Sequence, residues 1–286
     1  MRLATYASVT TAIVLVLIKV VAWVMTDSVS ILATLVDSSL DVLASILNLV
    51  AVHLALQPAD HEHRFGHGKA ESLAGMGQAM LITGSAGLLL LQAAGRIIHP
   101  QPISAGLEVG VSVMIFSMVA TVLLLTFQKY VIQRTNSTAI KADALHYKTD
   151  LLVNGSVIIA LVLTFYGWSH FDALFAIGIA LFILYSAWEI VRESIDLLMD
   201  HELPDEERHK ISSTVLAHPK VQGFHDLRTR RSGITVFIQI HLELEATLSL
   251  AEAHAIAEEV EQQLHTLFDD VEVIIHEDPV TTSSLI

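Results

Sequence analysis

Hydrophobic residues fall along the first two-thirds of the chain in six long runs with few or no charges, at roughly 3–25, 28–56, 72–95, 109–127, 145–168 and 173–188. A bilayer core takes about 20 apolar residues in a helix, so the pattern predicts six transmembrane helices. The first run follows Met1-Arg2 as a signal peptide would. It continues through Lys19 to Trp23 with no small-residue cleavage site, and is read as a retained helix.

Past Pro204 the pattern changes. Pro204 followed by Asp205, Glu206 and Glu207 predicts a helix start, with proline early and acids in the first turn. Residues 223–230 and 234–245 alternate as strands around the Ser232-Gly233 turn. In the second of them Ile234, Val236, Ile238, Ile240, Leu242 and Leu244 share one face and Gln239, His241 and Glu243 the other. Ser249 with Glu252 forms a capping box. It opens a helix whose predicted buried stripe is Leu250, Ala253, Ala257, Val260, Leu264 and Leu267. A last strand, 271–275, leads into His276-Glu277-Asp278. The expected architecture is therefore an all-α membrane domain of six helices over residues 1–202, then an α+β domain of order αββαβ over 203–286.

Charge adds orientation. Residues 1–200 carry 14 acidic and 10 basic side chains, and 201–286 carry 16 and 6. The excess of acid excludes a nucleic-acid partner, which needs a basic footprint, and suits small cations. Arg2, then Arg64 and Lys69, then Lys129, Arg134 and Lys141, then Arg192 onward lie at alternate loops. The loops near Asp27, at 100–106 and at 167–171 contain no Lys or Arg, and Arg96 at a helix end can snorkel. The positive-inside rule then puts both termini in the cytoplasm. The chain has no Cys and 15 His, so metal chemistry falls to imidazole and carboxylate.

Ionisable groups at membrane depth cost about 2.5 kcal/mol or more each and mark function. Two i,i+4 pairs occur there, Asp37 with Asp41 and His146 with Asp150. Each pair shares one helical face. Meeting faces would give three carboxylates and one imidazole, a set that can hold a divalent ion. The bland alternative is that these residues pair with Lys19 or Lys148, or cap helix ends. Asn154, one turn beyond Asp150, could orient it, or like Asn48 serve only packing. The loop from Asp60 to His67 crowds ligands suited to zinc or iron into eight residues, without the HExxH spacing of a zinc protease. In the tail His225, His241, His254, His276 and Asp278 converge if 223–230 and 234–245 pair with His225 beside His241 and the last strand lies alongside.

These residues stand in the segments SILATLVDSSLD, QPADHEHRFGHGKAES, ADALHYKTD, HDLRTRRSG and VIIHEDPV, and through them the whole chain resembles the bacterial cation diffusion facilitator family. The resemblance implies proton-coupled efflux of Zn²⁺, with Fe²⁺ and Cd²⁺ as further candidates, across the cytoplasmic membrane. It implies a transport site of Asp37, Asp41, His146 and Asp150, and a loop site of Asp60, His63 and His67. In a metallochaperone-like tail it implies a binuclear site of His225, His241, His254, His276 and Asp278, with Asp278 bridging and the tail zinc structural. It also implies a homodimer in lipid, tied in part by Lys69 and Asp200. Where relatives often have Gln between the last His and Asp, this chain has Glu277. The competing readings are a membrane metalloenzyme, for which the sequence offers neither a nucleophile nor HExxH, and a metal sensor.

Overall fold

The computed structural model describes the backbone of residues 1–26, 29–98, 107–165 and 171–280, and the side chains of these except at 26, 29–33, 36–37, 92–93, 96–98, 107–111, 157–165 and 171–176. The three loops read as free of Lys and Arg lie outside or mostly outside these residues, as do His99 and His170. The chain divides into two compact units, Met1–Ile195 and Asp196–Ile286.

The first unit is built from α1 (Arg2–Thr26), α2 (Val29–Ala55), α3 (Lys69–Ile98), α4 (Leu107–Thr135), α5 (Thr138–Phe165) and α6 (Phe171–Leu198). Among the described residues α1, α2, α3 and α4 contain windows long and apolar enough to cross a membrane. The expected boundaries of the fourth and fifth helices were too tight. α4 runs on to Thr135 and α5 begins at Thr138. Hydropathy marks only the part of a helix that lipid can cover, and both helices continue through polar turns beyond it. Between them Asn136 takes the left-handed conformation at φ 50°, and the Ser137 hydroxyl accepts the Ile140 N–H at 3.2 Å. Asparagine tolerates that conformation, and serine is a favoured helix cap.

Large apolar side chains point outward on this unit, Val24, Leu91, Leu123 and Trp188 among them. Its interior is small and polar. Ala79, Ile82 and Ala86 of α3 pack against Ala142 and Leu145 of α5 and Ile183, Ala187 and Ile190 of α6. Alanine at these positions lets backbones approach where no hydrophobic effect drives helices together. Gly75 extends the pattern: a Cβ there would come within 3.0 Å of Thr138 Cγ2 and 3.3 Å of Ser194 Oγ. Ser8, Ser45, Asn48, Gln78, Gln128 and Asp143 are buried in the same interior. Such an inversion of apolar outside and polar inside suits a lipid solvent.

The second unit follows the expected order: α7 (Asp205–Leu216), β1 (Gly223–Ser232), β2 (Thr235–Glu245), α8 (Leu250–His265) and β3 (Val271–Val280). The sheet order is β1-β2-β3, with β1 and β2 antiparallel and β2 and β3 parallel. Ile211 and Val215 of α7 and Ile256, Val260 and Leu264 of α8 cover Val236, Ile238, Ile240, Leu242 and Leu244 of β2. The capping box is present, with Ser249 Oγ accepting Glu252 N–H and the Glu252 carboxylate accepting Ser249 N–H. A cap of this kind stabilises a helix by about 1 kcal/mol.

Three details depart from expectation. The last strand does not stop at residue 275 but continues to Val280, because β2 stays paired with it through Glu245↔Val280. Leu250 is exposed and Ile256 is buried in its place, since Leu250 sits in the first turn of α8, at the edge of the stripe. Ile234 belongs to the turn and is exposed, so the core-facing row of β2 starts at Val236.

Candidate metal centres

The first cluster lies between α2 and α5. On α5, the i,i+4 spacing sets His146 and Asp150 on one face, with Nε2 and Oδ2 3.9 Å apart. Asp41 of α2 meets them, its Oδ1 2.9 Å from His146 Nε2. One ligand atom from each of the three lies within 4.8 Å of the others. The side chains of Asp41 and His146 are each 19% exposed, so the cluster is shielded yet reachable. Asp37 lies one turn before Asp41 on α2, and its side chain is outside the described residues. Of the two lysines considered as plain counter-ions, Lys148 Nζ stands over the Phe182 ring at 4.6 Å, and Lys19 Nζ reaches Ser38 Oγ at 2.6 Å and Thr34 O at 3.2 Å. Asn48 is buried on α2, and Asn154 is half-buried on α5.

A ring of polar residues that the sequence reading passed over surrounds the same turn. Asp143, three positions before His146, is buried at 1% exposure. It accepts hydrogen bonds from Ser8, from Gln78 at 3.1 Å and from Gln128 at 2.7 Å. Tyr147 shares a 2.9 Å hydrogen bond with Ser45, which lies one turn beyond Asp41, and donates to Ser8 O at 3.2 Å. Asp143 escaped notice because the hydropathy run began at residue 145 and left it in the preceding loop. Its signal was spacing: positions 143, 146, 147 and 150 recur at helical intervals.

The second cluster is local. Asp60 Oδ1 accepts the N–H groups of Glu62 at 2.9 Å and His63 at 2.6 Å, folding the loop so that His63 Nδ1 lies 3.5 Å and His67 Nε2 3.3 Å from its carboxylate. Gly66, at φ 76°, supplies the left-handed turn that returns the chain. The His63 and His67 rings stand 4.6 Å apart. The His63 N–H bond, helped by the Glu62 N–H and the charges of His67 and His63, holds the Asp60 carboxyl below its usual range. Lys69 opens α3 just beyond this loop.

The third cluster sits on the sheet face opposite the helices. Register places His225 opposite His241, and His241 opposite His276. Ring centroids are 5.0 Å apart for the first pair and 4.7 Å for the second. One extra residue in β1 between His225 and Arg228, with Asp226 at φ 48°, shifts the register of the ladder by one and so sets His225 opposite His241. Asp278 Oδ2 lies 2.8 Å from His241 Nδ1 and 3.3 Å from His225 Nε2, and its Oδ1 lies 3.5 Å from His276 Nε2. The His241 hydrogen bond, then the charges of His276, His241 and His225, hold the Asp278 carboxyl below its usual range. Glu243, unclaimed by the sequence reading, joins through His225 Nδ1 at 3.1 Å. A carboxylate on the far ring nitrogen fixes tautomer and orientation.

His254 is not brought to this group within the chain. It projects from α8, with Glu258 at 3.5 Å and Glu277 at 4.0 Å, and Glu277 alternates to the face opposite His276 and Asp278. Asp200, in the left-handed conformation at φ 57°, accepts from Arg230 at 3.2 Å.

The comparisons with known proteins agree in both units. Residues 5–199 match the cation efflux transmembrane domain, and residues 203–280 match the cytoplasmic domain of cation efflux proteins. The cation-efflux pump FieF of Klebsiella pneumoniae is 51% identical over 276 residues, covering 96% of this chain and 92% of that one. FieF of Salmonella arizonae is 50% identical over the same coverage. The metal-bound C-terminal domain of the CzcD transporter from Thermotoga maritima is 28% identical, covering 26% of this chain and 87% of that one at a TM-score of 0.25. With both of its domains matched and half of its residues identical to named pumps, this chain belongs to the cation efflux family.

Proposed function

We propose that the protein exports a divalent transition metal, Zn²⁺ foremost and Fe²⁺ or Cd²⁺ by the same ligands, from the cytoplasm across the inner membrane in exchange for protons. The observation that carries this is the meeting of Asp41, His146 and Asp150 between α2 and α5. Two carboxylates bring charge, and the imidazole favours zinc or iron over harder magnesium. Asp37 completes the proposed transport site as its fourth ligand. The efflux pumps that the chain matches support a transporter over an enzyme or a sensor.

Exchange follows from ligand chemistry. A protonated ligand cannot hold the metal, so binding releases protons and protonation ejects the ion. A helix subset rocking about this site would expose it to each side in turn. Asp60, His63 and His67 form a second, membrane-proximal site in this reading. His225, His241, His276 and Asp278 form a third, where the two oxygens of Asp278 face different histidines as a bridging carboxylate requires. His254 would complete it from outside the single chain's cluster, and Lys69 with Asp200 would tie two protomers into a homodimer. Both termini are cytoplasmic in this reading.

The test is flux. Purified protein in sealed lipid vesicles should move Zn²⁺ with a saturable rate, with Cd²⁺ competing and Mg²⁺ not. Vesicles that gain no zinc over protein-free controls overturn the proposal.

A further inference from the structure

The polar ring behind the membrane site joins four helices at one carboxylate. Asp143 is buried on α5, and its partners come from three other elements: Ser8 on α1, Gln78 on α3 and Gln128 on α4. Each partner is itself buried, at 1%, 6% and 0% exposure. Both carboxylate oxygens are committed, Oδ1 to Gln78 and Oδ2 to Ser8 and Gln128, and Gln128 also donates to Ser8 Oγ at 2.9 Å. A carboxylate held in this way is not aimed at a metal. Its partners are neutral amides and a hydroxyl, so what it gains is direction.

The position of this clasp matters more than its strength. Asp143 and Tyr147 flank His146 on the same turn, and Tyr147 ties that turn to α2 through Ser45 and to α1 through Ser8 O. His146 therefore projects from a segment of α5 fastened to α1, α2, α3 and α4. We propose that Asp143 is a positioning residue for the transport site, setting the height and rotation of α5 so that His146 and Asp150 meet Asp41. The inference rests on the efflux reading. It adds to that reading a residue that never touches the metal and yet sets its affinity and selectivity.

Partners that orient metal ligands are worth about 10- to 100-fold in affinity. In vesicle flux normalised to folded protein, Asp143→Ala should raise the KM for Zn²⁺ about tenfold or more, and should lower the preference for Zn²⁺ over Mn²⁺ because the imidazole is displaced. Asp143→Asn should stay within about threefold of wild type. Its oxygen can take two donors, and either glutamine can turn a carbonyl toward its nitrogen. A merely structural role would lower the amount of folded protein and leave KM and metal preference where they were.

If Asp143→Ala does not fold, Gln128→Met carries the test. It is similar in shape, removes two contacts of the clasp, and should raise KM in the same direction. Unchanged KM and metal preference in Gln128→Met or Asp143→Ala overturns the proposal, and so does an Asp143→Asn as impaired as Ala, since charge rather than direction would then be responsible. Equilibrium Zn²⁺ binding by the full chain, with His67→Ala and His241→Ala to silence the other two clusters, is read beside flux of the wild-type chain and separates the two readings. If the wild-type chain moves no zinc, the efflux reading fails, while the effect of Asp143→Ala on the dissociation constant still tests positioning.

Discussion

His146 Nε2 stands 2.9 Å from Asp41 Oδ1 although 105 positions separate them in the chain. A cation entering between α2 and α5 must replace this contact with bonds to both atoms. The proposed ligands are thus also one of the contacts that join the two helices, beside the Ser45–Tyr147 hydrogen bond, so occupancy and helix arrangement are coupled.

Asp41→Ala and Asp150→Ala should each abolish zinc flux while leaving the protein monodisperse and inserted. Each change removes a proposed ligand and a charge from a three-residue cluster and touches no part of the cytoplasmic core. Flux above about a tenth of wild type in either variant, at equal protein, would remove that residue from the site.

His146→Asp should move selectivity toward harder ions. The site would become all-carboxylate and lose the borderline-soft nitrogen that distinguishes zinc and iron from manganese. Competition of Mn²⁺ against Zn²⁺ in the flux assay should then strengthen, and an unaltered competition ratio would show that His146 is not a ligand.

Much of this was legible in the sequence, for identifiable reasons. Six apolar runs gave six helices because lipid imposes length and composition together. The αββαβ order was readable because β2 alternates cleanly from Ile238 to Leu244. That alternation also placed His241 opposite the core, but the turn at Gly233 alone would set His225 against Leu242; the extra residue between His225 and Arg228, for which the pattern has no signal, shifts His225 to His241. Polar continuations were harder. β3 runs through His276 and Asp278 because β2 is still there to pair with, and nothing in those side chains announces a strand. Asp143 was hidden for the same reason: its burial depends on Ser8, Gln78 and Gln128, which are up to 135 positions away in sequence.

Acid should weaken the cytoplasmic unit through Glu259. His218, 4% exposed, gives its Nε2–H to Glu259 at 2.9 Å while its Nδ1 accepts Lys220 N–H at 3.4 Å. That hydrogen bond, with the charge of Lys220, holds the Glu259 carboxyl below its usual range. A depressed carboxyl contributes stability that is complete above its unfolded pKa and is lost as pH falls through the folded value. Melts of residues 203–286, which hold their own core, should show Glu259→Gln less stable than wild type at neutral pH and the gap closing in acid. A gap that does not depend on pH would assign the effect to packing.

Zinc should raise the melting temperature of the same fragment. A metal that binds only the folded form stabilises it by about 2.7 kcal/mol at a hundredfold excess over the dissociation constant. His225, His241 and Asp278 already lie within 4.8 Å of one another, so little ordering is needed. Substituting Asp278→Ala should remove most of the shift, because both of its oxygens face histidines. Equal melts in zinc and in chelator would make the histidine row a surface feature.

Proton coupling makes the sharpest demand on the mechanism. In an antiporter and in a passive channel the same ligands select the metal, so ligand mutations cannot separate the two. Direction can. Vesicles loaded with equal Zn²⁺ on both sides and given a pH gradient, with the membrane potential clamped to zero, contain no driving force for zinc except through protons. If protonation of Asp37, Asp41, His146 or Asp150 ejects the ion on the acidic side and deprotonation recaptures it on the other, zinc must accumulate in the acidic compartment, against its own rising gradient, until the two gradients balance. A protonophore should collapse that accumulation, and Asp41→Ala should never show it. In a channel, protons compete for the ligands and slow zinc equally from both sides, and the concentrations stay equal for as long as the pH gradient lasts. Zinc that stays equal under a sustained gradient therefore rules out exchange, even with every ligand assignment correct.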